Sequence, residues 1–150
     1  MRPPSISYPV LVADIGGTNC RLSLVSDADC AHRPLARIGT GSHPTAEAAF
    51  AAVLADLPEK PRSAVLAVAG PLDGRQAQLT NAVWHLDGPR IAEALGFTQG
   101  LMVNDFEALS ASLAVLKPGD LTTLVAGDPE PEGVKLVLGP GTGFGAAALL

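Results

Sequence analysis

The segment at residues 14–19, Asp-Ile-Gly-Gly-Thr-Asn, has the residue types of a phosphate-binding turn. It lies between the apolar run 10–13 and a second largely apolar run at 21–25. Adjacent glycines permit a tight turn whose backbone N–H groups approach phosphate oxygens closely, and Thr18 adds a hydroxyl donor. The pattern predicts strand, phosphate turn and strand, with an ordinary glycine hairpin as the alternative. The candidate nucleotide-binding residues are Ala13, Asp14, Ile15, Gly16, Gly17, Thr18 and Asn19.

Asp14 ends the first predicted strand and has the chemistry of a metal ligand. A carboxylate beside a phosphate site usually implies a cation between them, and Mg²⁺ binds such groups readily. We therefore expect Asp14 to hold Mg²⁺, in part through water. The alternative is that Asp14 only helps to form the turn.

A second glycine-rich segment occupies residues 139–145 and follows a predicted strand at 134–138. Its candidate phosphate-binding residues are Gly139, Gly141, Thr142 and Gly143. A flexible turn is the alternative, and a dinucleotide site is weakly supported because no helical periodicity follows. Taken together, the two segments predict one triphosphate held by two lobes.

Asn104 and Asp105 follow a predicted buried strand at 101–103 and precede a predicted helix at 106–116. Ligands bind at the carboxyl ends of strands in α/β sheets. Asp105 could take the proton of a hydroxyl that attacks phosphorus, and Asn104 could hydrogen-bond neighbouring hydroxyls. The alternative is that both residues, with Glu107, only cap the helix.

Asn81 and Trp84 lie in a predicted irregular stretch. Asn81 either bonds its own backbone in a turn or lines a polar cleft, and we expect Trp84 to be a core anchor. The remaining elements are a helix at 46–57 with Thr45 as its N-cap, a buried strand at 64–69, and a helix that Asp87 caps. Strand and helix alternate, which indicates an α/β protein.

Composition excludes several classes of function. The chain has 150 residues, 47% of them hydrophobic, and a net charge of −5. Ten scattered basic residues disfavour nucleic-acid binding, and no stretch is long and apolar enough for a membrane span or a secretory signal. Cys20 and Cys30 have no partner at metal-ligand spacing, so we expect reduced thiols in a cytoplasmic protein.

Four segments, at 11–21, 79–84, 103–108 and 139–145, resemble the bacterial glucokinase family in order and spacing. The resemblance implies the duplicated actin-like, ribonuclease H-like sugar kinase fold, with an N-terminal lobe at 1–116 and the start of a second lobe at 117–150. It implies ATP with Mg²⁺, glucose as the acceptor, and a homodimer. Asp105 matches the base that deprotonates the 6-hydroxyl of the sugar, and Asn104 matches a sugar ligand; Asn81 is a further candidate.

The sequence also departs from the family pattern. Pro140, Phe144 and Cys20 replace residue types that are common in the family, and the family's downstream sugar-binding and adenosine-binding segments have no counterpart. We therefore interpret the chain as an N-terminal portion and expect little glucose phosphorylation from it alone. The alternatives are a non-catalytic sugar-binding or regulatory protein, a kinase for a related hexose, and a nicotinamide-binding fragment.

Overall fold

A computed structural model of the chain describes residues 6–29, 31–79, 83–128, 130, 132–140 and 144–150. Contacts divide it into two compact units, Met1–Asn104 and Asp105–Leu150. The units are defined by contacts within this chain, whereas the predicted lobes belong to the longer family fold. The predicted lobe boundary after residue 116 therefore stays a prediction.

The first unit is built on a five-stranded mixed sheet. Its strands are β1 (Val10–Ile15), β2 (Asn19–Val25), β3 (His32–Gly39), β4 (Ser63–Val68) and β7 (Gln99–Asn104). Their order across the sheet is β3-β2-β1-β4-β7. The first three strands of the chain pair antiparallel, whereas β1, β4 and β7 run parallel. The parallel strands therefore end at one edge of the sheet, as the predicted strand and helix alternation requires.

Side chains on one face of the sheet form the core. Alternate residues of β1, Leu11, Ala13 and Ile15, are fully buried. They join one hydrophobic cluster with residues of α1 (Ala46–Leu54), α2 (Gly88–Leu95) and the small hairpin β5 (Gln76–Gln78) and β6 (His85–Asp87). The predicted strands and helices of this unit are confirmed. The hairpin was missed because strands of three residues are too short to show a period of two.

Side chains close the ends of both helices. Thr45 Oγ1 accepts a hydrogen bond from the Ala48 N–H at 3.1 Å, and Asp87 Oδ1 accepts one from the Arg90 N–H at 3.0 Å, so both predicted N-caps are confirmed. Helix α1 ends at Leu54, before the predicted residue 57. Beyond it, the Leu57 N–H donates to the Leu54 carbonyl oxygen three residues back, and the Lys60 ammonium donates to the carbonyl oxygens of Leu54 and Ala55.

Helix α2 contacts β7 through a close approach of two glycines. A Cβ added to Gly100 would lie 2.1 Å from the carbonyl oxygen of Gly88. Only glycine therefore allows the two backbones to come this close. This contact fixes the strand that ends in Asn104.

The second unit contains α3 (Asp105–Ser112), a 3₁₀ turn at Pro118–Asp120, and the hairpin β8 (Lys135–Pro140) and β9 (Phe144–Leu149). The strands that flank the second glycine-rich segment form an antiparallel pair with Gly139 opposite Gly145, which confirms the predicted strand before it, whereas residues 141–143 lie outside the described residues. Helix α3 is shorter than predicted. The next turn tightens instead, because Leu113 N–H donates to Ser110 O and Val115 N–H to Ser112 O, three residues back.

Trp84 is a core anchor, as predicted. It is 1% exposed, and its ring meets Phe50 edge-to-face with centroids 6.2 Å apart. Its indole Nε1–H donates to the carbonyl oxygen of His43 at 3.0 Å. Among the described residues, the helices are all too short or too polar to cross a membrane.

Cys20 lies on β2 as a buried free thiol, and Cys30 lies outside the described residues. Burial, with a smaller contribution from the charge of Asp14, raises the pKa of Cys20 from 9.0 to about 12. As the pH rises, the unfolded chain therefore loses the Cys20 proton first, so the free energy of unfolding is unaffected below pH 9 and falls from there toward pH 12.

Between pH 9 and 11, we expect urea unfolding to show that the free energy of unfolding falls by about 1.4 kcal/mol per pH unit relative to that of Cys20→Ala. Parallel pH profiles for the two proteins would contradict this expectation.

Candidate active site

Two hydrogen bonds from Thr40 hold the turn between β1 and β2. The Thr40 N–H donates to Thr18 O at 3.0 Å, and its hydroxyl donates to Gly17 O at 2.9 Å. Thr40 is 2% exposed and follows β3 directly. A third bond, from Gly16 N–H to Asn19 O at 2.9 Å, closes the turn. The carbonyl oxygens at the tip of the turn are thus satisfied by the protein.

The amide groups at the tip are in a different position. Within the described residues, the N–H groups of Gly17 and Thr18 have no hydrogen-bond acceptor. Thr18 is exposed, and both glycines are half-buried. Adjacent backbone N–H groups on a turn form an anion-binding concavity. The geometry suits a phosphate, and the phosphate contacts predicted for Gly16, Gly17 and Thr18 stay predictions.

Asp14 lies opposite Arg21 on the two strands that flank the turn. Arg21 Nη1 contacts Asp14 Oδ2 at 2.7 Å, with the side chains 62% and 54% exposed, respectively. An exposed pair of this kind contributes about 0–1 kcal/mol to stability. The fold therefore does not depend on this carboxylate, which leaves it available for a ligand.

The residues near Asp14 fit Mg²⁺ held through water. Among the described residues, no three acidic, histidine or cysteine side chains gather into a metal site. Mg²⁺ does not need such a cage, because one carboxylate, substrate phosphates and several waters suffice. Arg21 engages one carboxylate oxygen, which favours an indirect contact through the other.

Asn104 ends β7 in the same row of the sheet as the end of β1. Ile15 pairs with Val68, and Val68 pairs with Asn104. Two strand spacings, roughly 10 Å, therefore separate Asn104 from Ile15. The Asn104 amide Nδ2 donates to the Gly70 carbonyl oxygen at 3.0 Å. This bond fixes the side chain at the carboxyl edge of the sheet.

Asp105 follows Asn104 in the chain and begins α3 in the second unit. Its side chain is half-buried, and Oδ1 accepts a hydrogen bond from the Phe106 N–H at 3.0 Å. This bond runs to the adjacent N–H and leaves the capping alternative untested, and it fixes one oxygen of the carboxylate. A carboxylate positioned in this way has the chemistry of a general base.

Phe106 explains two of the glycines in the second glycine-rich segment. A Cβ added to Gly139 would lie 2.7 Å from Phe106 Cζ, and one added to Gly145 would lie 2.0 Å from Phe106 Cε2. The ring of this α3 residue therefore lies directly against the backbone of the hairpin. Packing alone requires glycine at both positions, whatever Gly139 also binds.

Gly145→Ala is accordingly expected to destabilise the second unit by about 1–3 kcal/mol through overpacking. Urea unfolding should show this loss, and Phe106→Ala in the same chain should relieve part of it, because the two changes are coupled. The matched control is Gly127→Ala, where an added Cβ meets nothing within 4 Å and the change should be within about 0.5 kcal/mol. Equal losses for the two glycine variants would contradict this account.

The other predicted site residues lie outside the described residues. These are Asn81, Gly141, Thr142 and Gly143. Their predicted roles stay predictions.

Sequence reasoning missed Thr40, Arg21 and Phe106. Thr40 bonds to a residue 23 positions away, and a lone threonine after a strand gives no local signal. Arg21 could have been found, because it and Asp14 flank the predicted turn symmetrically and would pair in a hairpin.

The comparisons with known proteins identify relatives across nearly the whole chain. The glucokinase family model matches residues 11–150. Glucokinase from Sinorhizobium medicae (strain WSM419) is 41% identical over 147 residues, which are 97% of this chain and 43% of that protein. A glucokinase structure from an Antarctic psychrotroph has a TM-score of 0.81 at 36% identity, covering 95% of this chain and 46% of that one. Glucokinase from Balamuthia mandrillaris, solved with glucose, has a TM-score of 0.63 at 26% identity, covering 94% and 44%.

The mixed sheet and its glycine turn thus define an α/β protein with the actin-like sugar kinase fold, as the sequence predicted. The chain belongs to the glucokinase family. It spans about 43% of the length of the curated relatives that it matches.

Proposed function

We propose that the encoded protein transfers the γ-phosphoryl group of ATP to the 6-hydroxyl of glucose. The observation that carries this proposal is the pair of N–H groups at Gly17 and Thr18, in a chain of the glucokinase family. A preorganised pair of donors stabilises phosphate charge without reorganisation during the reaction. The glucose bound in the related Balamuthia mandrillaris structure supports the choice of acceptor.

The nucleotide is assigned to the two glycine-rich segments. Residues 13–19 form the first phosphate loop, which binds the phosphates through the N–H groups of Gly17 and Thr18 and the Thr18 hydroxyl, and Gly139, Gly141, Thr142 and Gly143 supply the second phosphate loop. Asp14 holds Mg²⁺ through water. The ion, when bound, neutralises negative charge on the phosphates.

The sugar is assigned to Asn104, Asn81 and Asp105. The two asparagines hydrogen-bond its hydroxyls and orient the 6-hydroxyl. Asp105 accepts the proton of that hydroxyl. At the same time, the oxygen of the sugar hydroxyl forms a bond to the γ-phosphorus, and the bond from this phosphorus to the ADP oxygen breaks. The products are glucose 6-phosphate, ADP and a protonated Asp105, which then releases its proton to water.

A coupled assay of the protein at its full encoded length tests this proposal. With ATP and Mg²⁺, we expect glucose to stimulate ADP formation, and NMR should identify the product as glucose 6-phosphate. The 150-residue chain, assayed beside it, is expected to show little turnover. Glucose binding without ADP formation would favour the alternative of a sugar-binding or regulatory protein. Faster turnover of another hexose would favour the alternative of a kinase for that hexose.

Assembly and location follow from the same family resemblance. We propose a homodimer that acts in the cytoplasm. Light scattering after size exclusion should give twice the mass of one chain, and cell fractionation should recover the protein with soluble enzymes.

A further inference from the structure

We propose that Thr40 is a positioning residue for nucleotide binding, acting through the β1–β2 turn. The inference rests on the proposed function, since it assigns to Thr40 the orientation of the phosphate-binding amides. Among the described residues, the hydrogen bonds of Thr40 to the turn go to the carbonyl oxygens of Gly17 and Thr18, and Thr40 is not itself assigned a contact with the nucleotide.

Peptide geometry gives the Thr40 hydroxyl its effect on the turn. In a planar trans peptide, the C=O and N–H bonds point in opposite directions. The Gly17 carbonyl points to Thr40 Oγ1, 2.9 Å away, so the Thr18 N–H of the same peptide points away from Thr40. The hydroxyl therefore sets the direction of a donor that the nucleotide needs.

Burial makes this bond hard to replace. Thr40 is 2% exposed and its hydroxyl bond to the Gly17 carbonyl oxygen is part-buried, so valine would leave this carbonyl facing the methyl group that replaces its donor. A carbonyl that has lost its donor in this way favours rotation of its peptide toward solvent. Such a rotation would carry the Thr18 N–H away from the phosphate.

The segment around Thr40 is itself anchored to the core. Ser42 donates through both its N–H, at 3.0 Å, and its hydroxyl, at 2.7 Å, to the Gly39 carbonyl oxygen. Buried Trp84 donates to the His43 carbonyl oxygen at 3.0 Å, and Thr45 caps α1. These bonds hold the segment that contains Thr40 against the core, and Thr40 in turn holds the turn, whose tip is exposed.

The test compares Thr40→Val with Thr40→Ser in the protein at its full encoded length. Valine keeps the shape and removes the hydroxyl, whereas serine retains the donor. Calorimetry should show AMPPNP binding weakened about tenfold in Thr40→Val, as expected for one lost hydrogen bond, and within about threefold of the unaltered protein in Thr40→Ser. The Kd for glucose should not change. Thr98→Val is the matched control, because the Thr98 hydroxyl also donates to a backbone carbonyl oxygen, that of Arg62 at 2.8 Å, but away from the turn, and it should leave AMPPNP binding unchanged.

A folded Thr40→Val protein that binds AMPPNP as tightly as the unaltered protein would overturn the inference and leave the proposed function intact. Failure of the unaltered protein to bind AMPPNP would refute the proposed function, and the inference with it. If Thr40→Val does not fold, the inference is tested instead by the NMR resonances of the Gly17 and Thr18 amides in the unaltered protein. They should shift on addition of AMPPNP but not of glucose alone, and unchanged resonances would overturn the inference.

Discussion

Asp105→Asn is expected to lower kcat by about 10²–10⁴-fold and to leave the Kd for glucose within a few-fold. Asparagine has nearly the shape of aspartate, and its amide oxygen can accept the bond from the Phe106 N–H that the carboxylate accepts at 3.0 Å. It cannot accept the proton of the sugar hydroxyl. The loss should therefore appear in the chemical step, measured as initial rates of the protein at its full encoded length at saturating ATP and glucose.

Asp120→Asn is the matched control for Asp105. Asp120 is an exposed carboxylate in the same unit, and its Oδ2 accepts a hydrogen bond from the Lys117 N–H at 2.8 Å. Its replacement should leave kcat within twofold of the unaltered protein. If Asp105→Asn retained more than a tenth of the activity while Asp120→Asn behaved normally, another group would have to be the base.

Asp14→Asn is expected to lower kcat by about 10²-fold and to raise the Mg²⁺ concentration needed for half-maximal rate. The variant keeps the size of the side chain but removes the charge that attracts the cation. Because the pair with Arg21 is exposed, the free energy of unfolding should change by less than about 1 kcal/mol. A Mg²⁺ titration of the rate, together with urea unfolding, separates the two effects.

Arg21→Met distinguishes the metal from the ion pair. It breaks the 2.7 Å contact and leaves the Asp14 carboxylate in place. We expect it to keep most of the activity, since the guanidinium only competes with the cation for the carboxylate. Equal losses in Asp14→Asn and Arg21→Met would assign the effect to the ion pair and refute the role of Asp14 toward Mg²⁺.

Local sequence patterns predicted most of the fold. Apolar spacing predicts strand β1, which ends at Ile15. Apolar spacing also predicts helices α1 and α2, together with the side chains of Thr45 and Asp87, which accept hydrogen bonds from nearby N–H groups. Helix α1 ends earlier than predicted, and the Lys60 ammonium that donates to its last carbonyls comes from the following loop, whose path the apolar spacing does not show. Such loop contacts have no periodic signal.

The candidate site was only partly predictable. Residue type predicts a phosphate turn at Gly16 and Gly17, but it does not show that Thr40 bonds to the carbonyl oxygens of the turn, a contact that depends on tertiary structure. For Gly139, residue type suggested phosphate contact, whereas the fold shows that the Phe106 ring occupies the space of its missing side chain. A glycine can satisfy packing and binding equally well, and sequence alone does not separate the two.

A crystal structure of the protein at its full encoded length with AMPPNP and glucose tests the central claim most directly. Phosphate oxygens should lie about 3 Å from the amide nitrogens of Gly17 and Thr18, and the glucose 6-hydroxyl should lie within hydrogen-bond distance of the Asp105 carboxylate. Phosphates bound away from this turn, or a 6-hydroxyl out of reach of Asp105, would contradict the account.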